Sequence, residues 1–174
     1  MNSNHLRMQS LTKSIWGFII SMFLICCAYI VATKLGFMLA TMNKSVSPVW
    51  PASAVGIIAL YLFGPRAVFS IFISAFLANF LNSSAPYISL FIGLGNALEA
   101  LAGYYLFVYL YEKTKIFEDF SKIITLLAVS IFPPFLSAFI GTCILYFANL
   151  TENNLLEVFI NGWVGDSMGI LLIV

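Results

Sequence analysis

Long apolar runs, each closed by a short polar or proline-bearing stretch, set the rhythm of this chain. Residues 15–33 are continuously apolar and supply about 19 residues, enough helix to cross a hydrocarbon core of about 30 Å. This run is longer than the apolar core of a signal peptide and lacks a clear cleavage site, so it predicts an anchored first helix. Residues 35–42 either continue that helix, with Lys34 buried or snorkelling, or lie at the interface. A loop over 43–50 ends in Pro48-Val-Trp-Pro51, and Pro51 suits a first helical turn because it lacks the N–H that would go unpaired there.

Two shorter apolar segments follow, at 51–63 and 67–81, joined by Gly64-Pro65-Arg66. Each gives only about 20–23 Å of helix. A re-entrant hairpin would drive Arg66 deep into the membrane, so two short spanning helices are expected. In the second of them Ser70, Ser74 and Ala78 recur at four-residue spacing, which lets a neighbouring backbone approach. The fourth segment covers 87–111. The fifth covers 122–148 and carries Pro133-Pro134, which remove two N–H donors and predict a kink. The sixth covers 155–174.

Within the fourth segment, Gly93, Asn96, Ala97, Glu99, Ala100 and Gly103 fall inside an arc of about 160° at a helical 100° per residue. Such a small, polar face belongs against other helices or a wet cavity, not lipid. Two readings stand side by side: helix packing through small residues with a protonated Glu99, or a ligand or proton site lined by Asn96 and Glu99. The sixth segment repeats the pattern, with Gly162, Gly165, Asp166 and Gly169 on one narrow face and Asn161 beside them. Beyond the two prolines, Pro134, Ser137, Ala138 and Gly141 form another small-residue face.

Composition turns these segments into a class. The 174 residues are 61% hydrophobic and 9% charged, against roughly 25% charged in a soluble domain, which makes this an all-α integral membrane protein of about six helices. No alternating ten-residue strand pattern favours a barrel. A net charge of +1 with no basic stripe excludes nucleic acid as a partner. Cys26, Cys27 and Cys143 sit inside apolar segments without ligand spacing, so neither a metal nor another cofactor is expected. An even number of spans puts both ends on one side. With the N-terminus inside, Arg7, Lys13, Arg66, Lys113, Lys115 and Lys122 face the cytoplasm and only Lys34 and Lys44 face out.

On this orientation Glu99 and Asp166 both lie near mid-depth. Asn79, Asn96, Asn161 and Trp163 lie toward the outer half, with Trp50 at the outer mouth. Shared depth predicts that Asn79, Asn96, Glu99, Asp166 and Trp163 line one cavity. Trp50 and Trp163 equally suit the interfacial aromatic belt. With few cations to pair them, both carboxyl groups are expected to be neutral unless a cationic ligand or Lys34 reaches them. No nucleophile–histidine pair, phosphate-cradling loop or metal cluster appears, so catalysis is not expected.

Four motifs in order carry a family resemblance: Pro48-Val-Trp-Pro51, Gly95-Asn-Ala-Leu-Glu-Ala100, Pro134-Phe-Leu-Ser-Ala-Phe-Ile-Gly141 and Trp163-Val-Gly-Asp-Ser-Met-Gly169. From about residue 46 to 174 the chain resembles the membrane-associated sensor domain of the first MASE type. That resemblance implies a bacterial inner-membrane input module; together with the segments and the cation distribution it gives residues 1–14 as a cytoplasmic tail and 15–174 as the multi-pass sensor domain. It also implies a cytoplasmic effector, a histidine kinase or a cyclic-di-GMP-making domain, as partner beside the lipid bilayer and a small ligand. Self-association as a homo-oligomer is left open. Family members usually carry further spans after the Trp-Gly-Asp motif, so the chain is expected to be a truncated form or an orphan module. A small-molecule transporter, or its substrate-capture subunit, fits six helices with polar mid-plane residues equally well on physical grounds. A purely structural assembly module needs only the small-residue faces.

Overall fold

The structure, a computed structural model, describes residues 15–40, 47–82, 84–113, 118–150 and 154–174. The expected tail at 1–14 and the cations Lys44 and Lys115 lie outside the described residues.

Six helices and no strand make up the described residues: α1 Ile15–Leu39, α2 Pro51–Phe63, α3 Val68–Leu81, α4 Pro86–Lys113, α5 Glu118–Phe147 and α6 Leu155–Ile173. α1, α4, α5 and α6 are long and apolar enough to cross a membrane, whereas α2 and α3 are shorter. The chain is a multi-pass helical membrane protein. α1 runs through Lys34 to Leu39, and Lys34 stays on its exposed side.

Local chemistry fixes several ends. Pro51 occupies the first turn of α2, and Gly64 closes it at φ 87°, with its N–H on Leu60 O at 2.9 Å. A left-handed backbone there favours glycine and turns the chain into the 3₁₀ turn Pro65–Ala67, leaving Arg66 exposed. At α6, the Asn154 side chain accepts from Leu156 N at 3.1 Å and caps the helix.

α2 is the hub. It packs against α1, α4 and α6 and barely touches α3, its neighbour in sequence, which lies instead against α1 and α4. α4 packs on α5, and α5 on α6. α2 is short because its length is not set by lipid. Ala52, Ser53, Ala54, Gly56, Ile57, Ala59 and Leu60 are all buried.

The interior is built from small side chains and the exterior from large ones. Ala52, Ala54, Ala75 and Ala100 are buried, while Phe23, Leu81, Phe132 and Leu172 face outward. Lipid tails are as apolar as leucine, so burying bulk gains little; close backbone approach gains packing instead. The face predicted on α4 is used in this way. A β-carbon on Gly93 would stand 3.2 Å from Phe72 O of α3, and one on Gly103 only 2.6 Å from Ile57 Cδ1 of α2. Ser70 and Ser74 are likewise fully buried, with Cys26 Sγ of α1 3.7 Å from Ser70 O.

Candidate functional site

The segment Ser47–Trp50 places everything around it. It leads into α2 while lying on the glycine face of α6. Trp50 N donates to Gly165 O at 2.8 Å. A β-carbon on Gly165 would stand 2.5 Å from Ser47 O, and one on Gly169 would overlap the Trp50 carbonyl. The Trp50 ring meets Phe37 edge-on at 5.0 Å between centroids and covers Gly36. Non-helical backbone is tolerated inside a membrane protein only when other protein satisfies it, and the Gly165 carbonyl does that here. Trp50 thus sits against the middle of α6 rather than at its N-terminal end, and α2 starts at that level.

Asp166 faces this start. Ser53 Oγ, in the first turn of α2, donates to Asp166 Oδ1 at 2.8 Å. Ser137 Oγ of α5 donates to Oδ2, also at 2.8 Å. Ser137 lies 3.1 Å from Pro134 O as well, but it has a single proton and the carboxylate is the nearer acceptor. Three helices therefore meet on one carboxyl group. The N-terminal end of α2, where backbone N–H groups lack helical partners, adds positive potential beside it.

Glu99 of α4 is 1% exposed, and neither carboxyl oxygen has a hydrogen-bond partner. Its carboxyl adjoins Ser53, Ser137 and Asp166. By helical rise, Glu99 lies about 20 Å from the start of α4, Asp166 about 16 Å from the start of α6, and Ser137 about 15 Å before the end of α5. All three are near the middle of the bundle. Tyr29 of α1, 2% exposed, lies in the field of both carboxyl groups, and its hydroxyl donates to Asn96 Oδ1 at 3.1 Å. Asn96 in turn gives its Nδ2 proton to Ile92 O at 2.8 Å.

Among the residues expected at a site, the structure brings Glu99 and Asp166 together and places Asn96 on the adjoining Tyr29 side. Asn79 turns its Nδ2 back to Ala75 O of its own helix at 2.8 Å. Asn161 is exposed on α6. Trp163 lies in the α5–α6 seam, stacked on Phe159, with its indole N–H on Ile131 O at 2.8 Å. Pro133 and Pro134 leave the carbonyls of Val129 and Ser130, just before Ile131, without their helical donors.

Sequence reasoning missed Ser53, Ser137 and Tyr29 as members of the cluster. Serines in membrane helices commonly bond their own backbone, as Ser74 does to Ser70 O at 2.6 Å. Position two residues after Pro51, and membership of the small face after Pro134, were the available signals. Among the described residues no three of His, Cys, Asp and Glu gather as metal ligands. The donors are two carboxyl groups and two hydroxyls, an arrangement able to hold a proton, a cation or a hydrogen-bond donor.

In comparisons with known proteins, the MASE1 family model matches residues 15–174, nearly the whole chain. No curated protein and no solved structure matches it.

Proposed function

The chain belongs to the MASE1 family of membrane-associated sensory domains of signal transduction proteins, and from that membership we propose that it is a bacterial inner-membrane input module relaying a stimulus to a cytoplasmic effector. Both termini face the cytoplasm in this reading, in line with the cation distribution. The stimulus is a small ligand or a state of the membrane. The output chemistry, kinase or cyclase, belongs to the effector outside these residues, and no catalysis is assigned to the bundle.

One observation carries the reading: Asp166 is held at once by Ser53 of α2 and Ser137 of α5. Anything that competes for those hydroxyls shifts the packing of α6 against two helices, a differential interaction of the kind a switch requires. The test is made in the natural full-length receptor, with effector output measured with and without stimulus. Asp166→Asn should abolish the stimulus-dependent change at unchanged membrane abundance. A wild-type response from that variant refutes the relay.

A transporter, or its substrate-capture subunit, is the second reading. It is favoured by the start of α2 at mid-depth beside two carboxyl groups, as discontinuous helices begin at transport sites. Solute counterflow into proteoliposomes holding the chain alone would establish it, and stimulus-gated output without flux would remove it.

A further inference from the structure

We propose that Glu99, Asp166, Ser53 and Ser137 together form a binding site for a small monovalent cation of the sodium type. The proposal deepens the sensory reading and rests on it for the role of the site, though not for the binding itself. Its first support is the pair of unpartnered oxygens on Glu99, 1% exposed in the middle of the bundle. A carboxyl group withdrawn from water without a donor is costly, and buried polar groups in native structures are almost always satisfied.

Among the described residues no cationic side chain fills that need, and the Ser53 and Ser137 hydroxyls beside Glu99 give their single protons to Asp166. Lys34, Arg66 and Lys122 are all exposed. The proton of Tyr29, the other titratable group beside the pair, is given to Asn96. The two serine protons point to Asp166, and a hydroxyl that donates its proton still has lone pairs to offer a cation. Four side chains from four helices thus present oxygen alone, a donor set that suits hard cations over transition metals.

Enclosure sets the size. Glu99, Ser53 and Ser137 are 1%, 4% and 8% exposed and Asp166 is half-buried, which suits an occupant on the scale of an ion rather than an organic molecule. Charge and hydration set the valence. Mg²⁺ sheds water reluctantly, and Ca²⁺ takes about six to eight oxygens, the lower limit of which would need every oxygen of these four side chains at once. A monovalent ion between the carboxyl groups, one of them keeping its proton, offsets charge that no described cationic side chain reaches.

The chain of residues 1–174 in lipid nanodiscs provides the test, through its melting temperature in NaCl and in choline chloride at equal ionic strength. Saturating Na⁺ should raise the melting temperature by about 5 °C. Glu99→Gln and Asp166→Asn should lose that shift, Ser53→Ala should move its midpoint to at least about tenfold higher Na⁺, and Lys34→Gln should keep it. If either carboxyl variant fails to fold, Ser53→Ala and Ser137→Ala carry the comparison. Equal melting in the two salts overturns the proposal, as does a shift retained in both carboxyl variants, a response to pH alone, or one to Ca²⁺ or Mg²⁺ alone. A sodium shift without any effect on effector output would refute the sensory role and leave the site standing. Effector output that responds without a sodium shift would do the reverse.

Discussion

Replacing Gly169 by alanine tests the docking of Ser47–Trp50 on α6, on which the whole site depends. A methyl group there would overlap the Trp50 carbonyl oxygen and come within 2.6 Å of its carbon and 3.2 Å of its nitrogen. These are backbone atoms and cannot swing aside like the tip of a flexible side chain. Overpacking of this kind costs about 1–3 kcal/mol. Displacing Trp50 also breaks its 2.8 Å hydrogen bond to Gly165 O, and an orphaned buried N–H adds about 1–3 kcal/mol. Alanine's better helix propensity returns up to about 1 kcal/mol, which centres the net loss near about 3 kcal/mol. Two glycines serve as controls. A β-carbon on Gly162 would meet Ala138 Cβ at an ordinary 3.7 Å, and one on Gly141 would meet nothing within 4 Å. Both alanine variants should be neutral or slightly stabilised. Reversible unfolding in mixed micelles, followed by tryptophan fluorescence, measures all three, and Trp50 itself reports on the interface. If Gly169→Ala is as stable as Gly141→Ala, the segment does not dock as described.

Glu99→Gln should fold nearly as well as wild type and better than Glu99→Lys, whose longer side chain must fit among Ser53, Ser137 and Asp166 in a closely packed interior at a cost of about 1–3 kcal/mol; membrane abundance and melting of the two variants decide this. Tyr29→Phe should cost about 1 kcal/mol by removing the donor to Asn96 Oδ1, and an Asn96→Leu change added to it should cost less than the sum of the two alone, as a double-mutant cycle will show. Cysteine labelling should place positions 82 and 153 on the outer side of the membrane and 115 on the cytoplasmic side, and an outward label at 115 would overturn the proposed orientation.

How much of this was legible beforehand follows from what each residue needs. Six helices, the small face of α4 and that of α6 were readable because helical periodicity and apolar length are local properties. Glu99 and Asp166 stood out for the same reason: a carboxyl group in a long apolar run is costly wherever the helix packs. The sequence also carried the family, through four motifs in order, which the match over residues 15–174 bears out.

Only the tertiary structure decided what those faces meet. Trp50-Pro51 reads locally as an interfacial tryptophan before a helix start, and nothing in its neighbours says that this start lies against the middle of α6. That depends on Gly165 and Gly169, more than a hundred residues later, leaving room for a foreign backbone and one of them lending it a carbonyl. Ser53 and Ser137 are ordinary small residues in their own helices. They become hydrogen-bond donors to Asp166 only because α2 begins there and α5 crosses at the same level. A serine's hydrogen bond to its own helix can be read from one segment; a bond between helices is a property of their packing, and no single segment contains it.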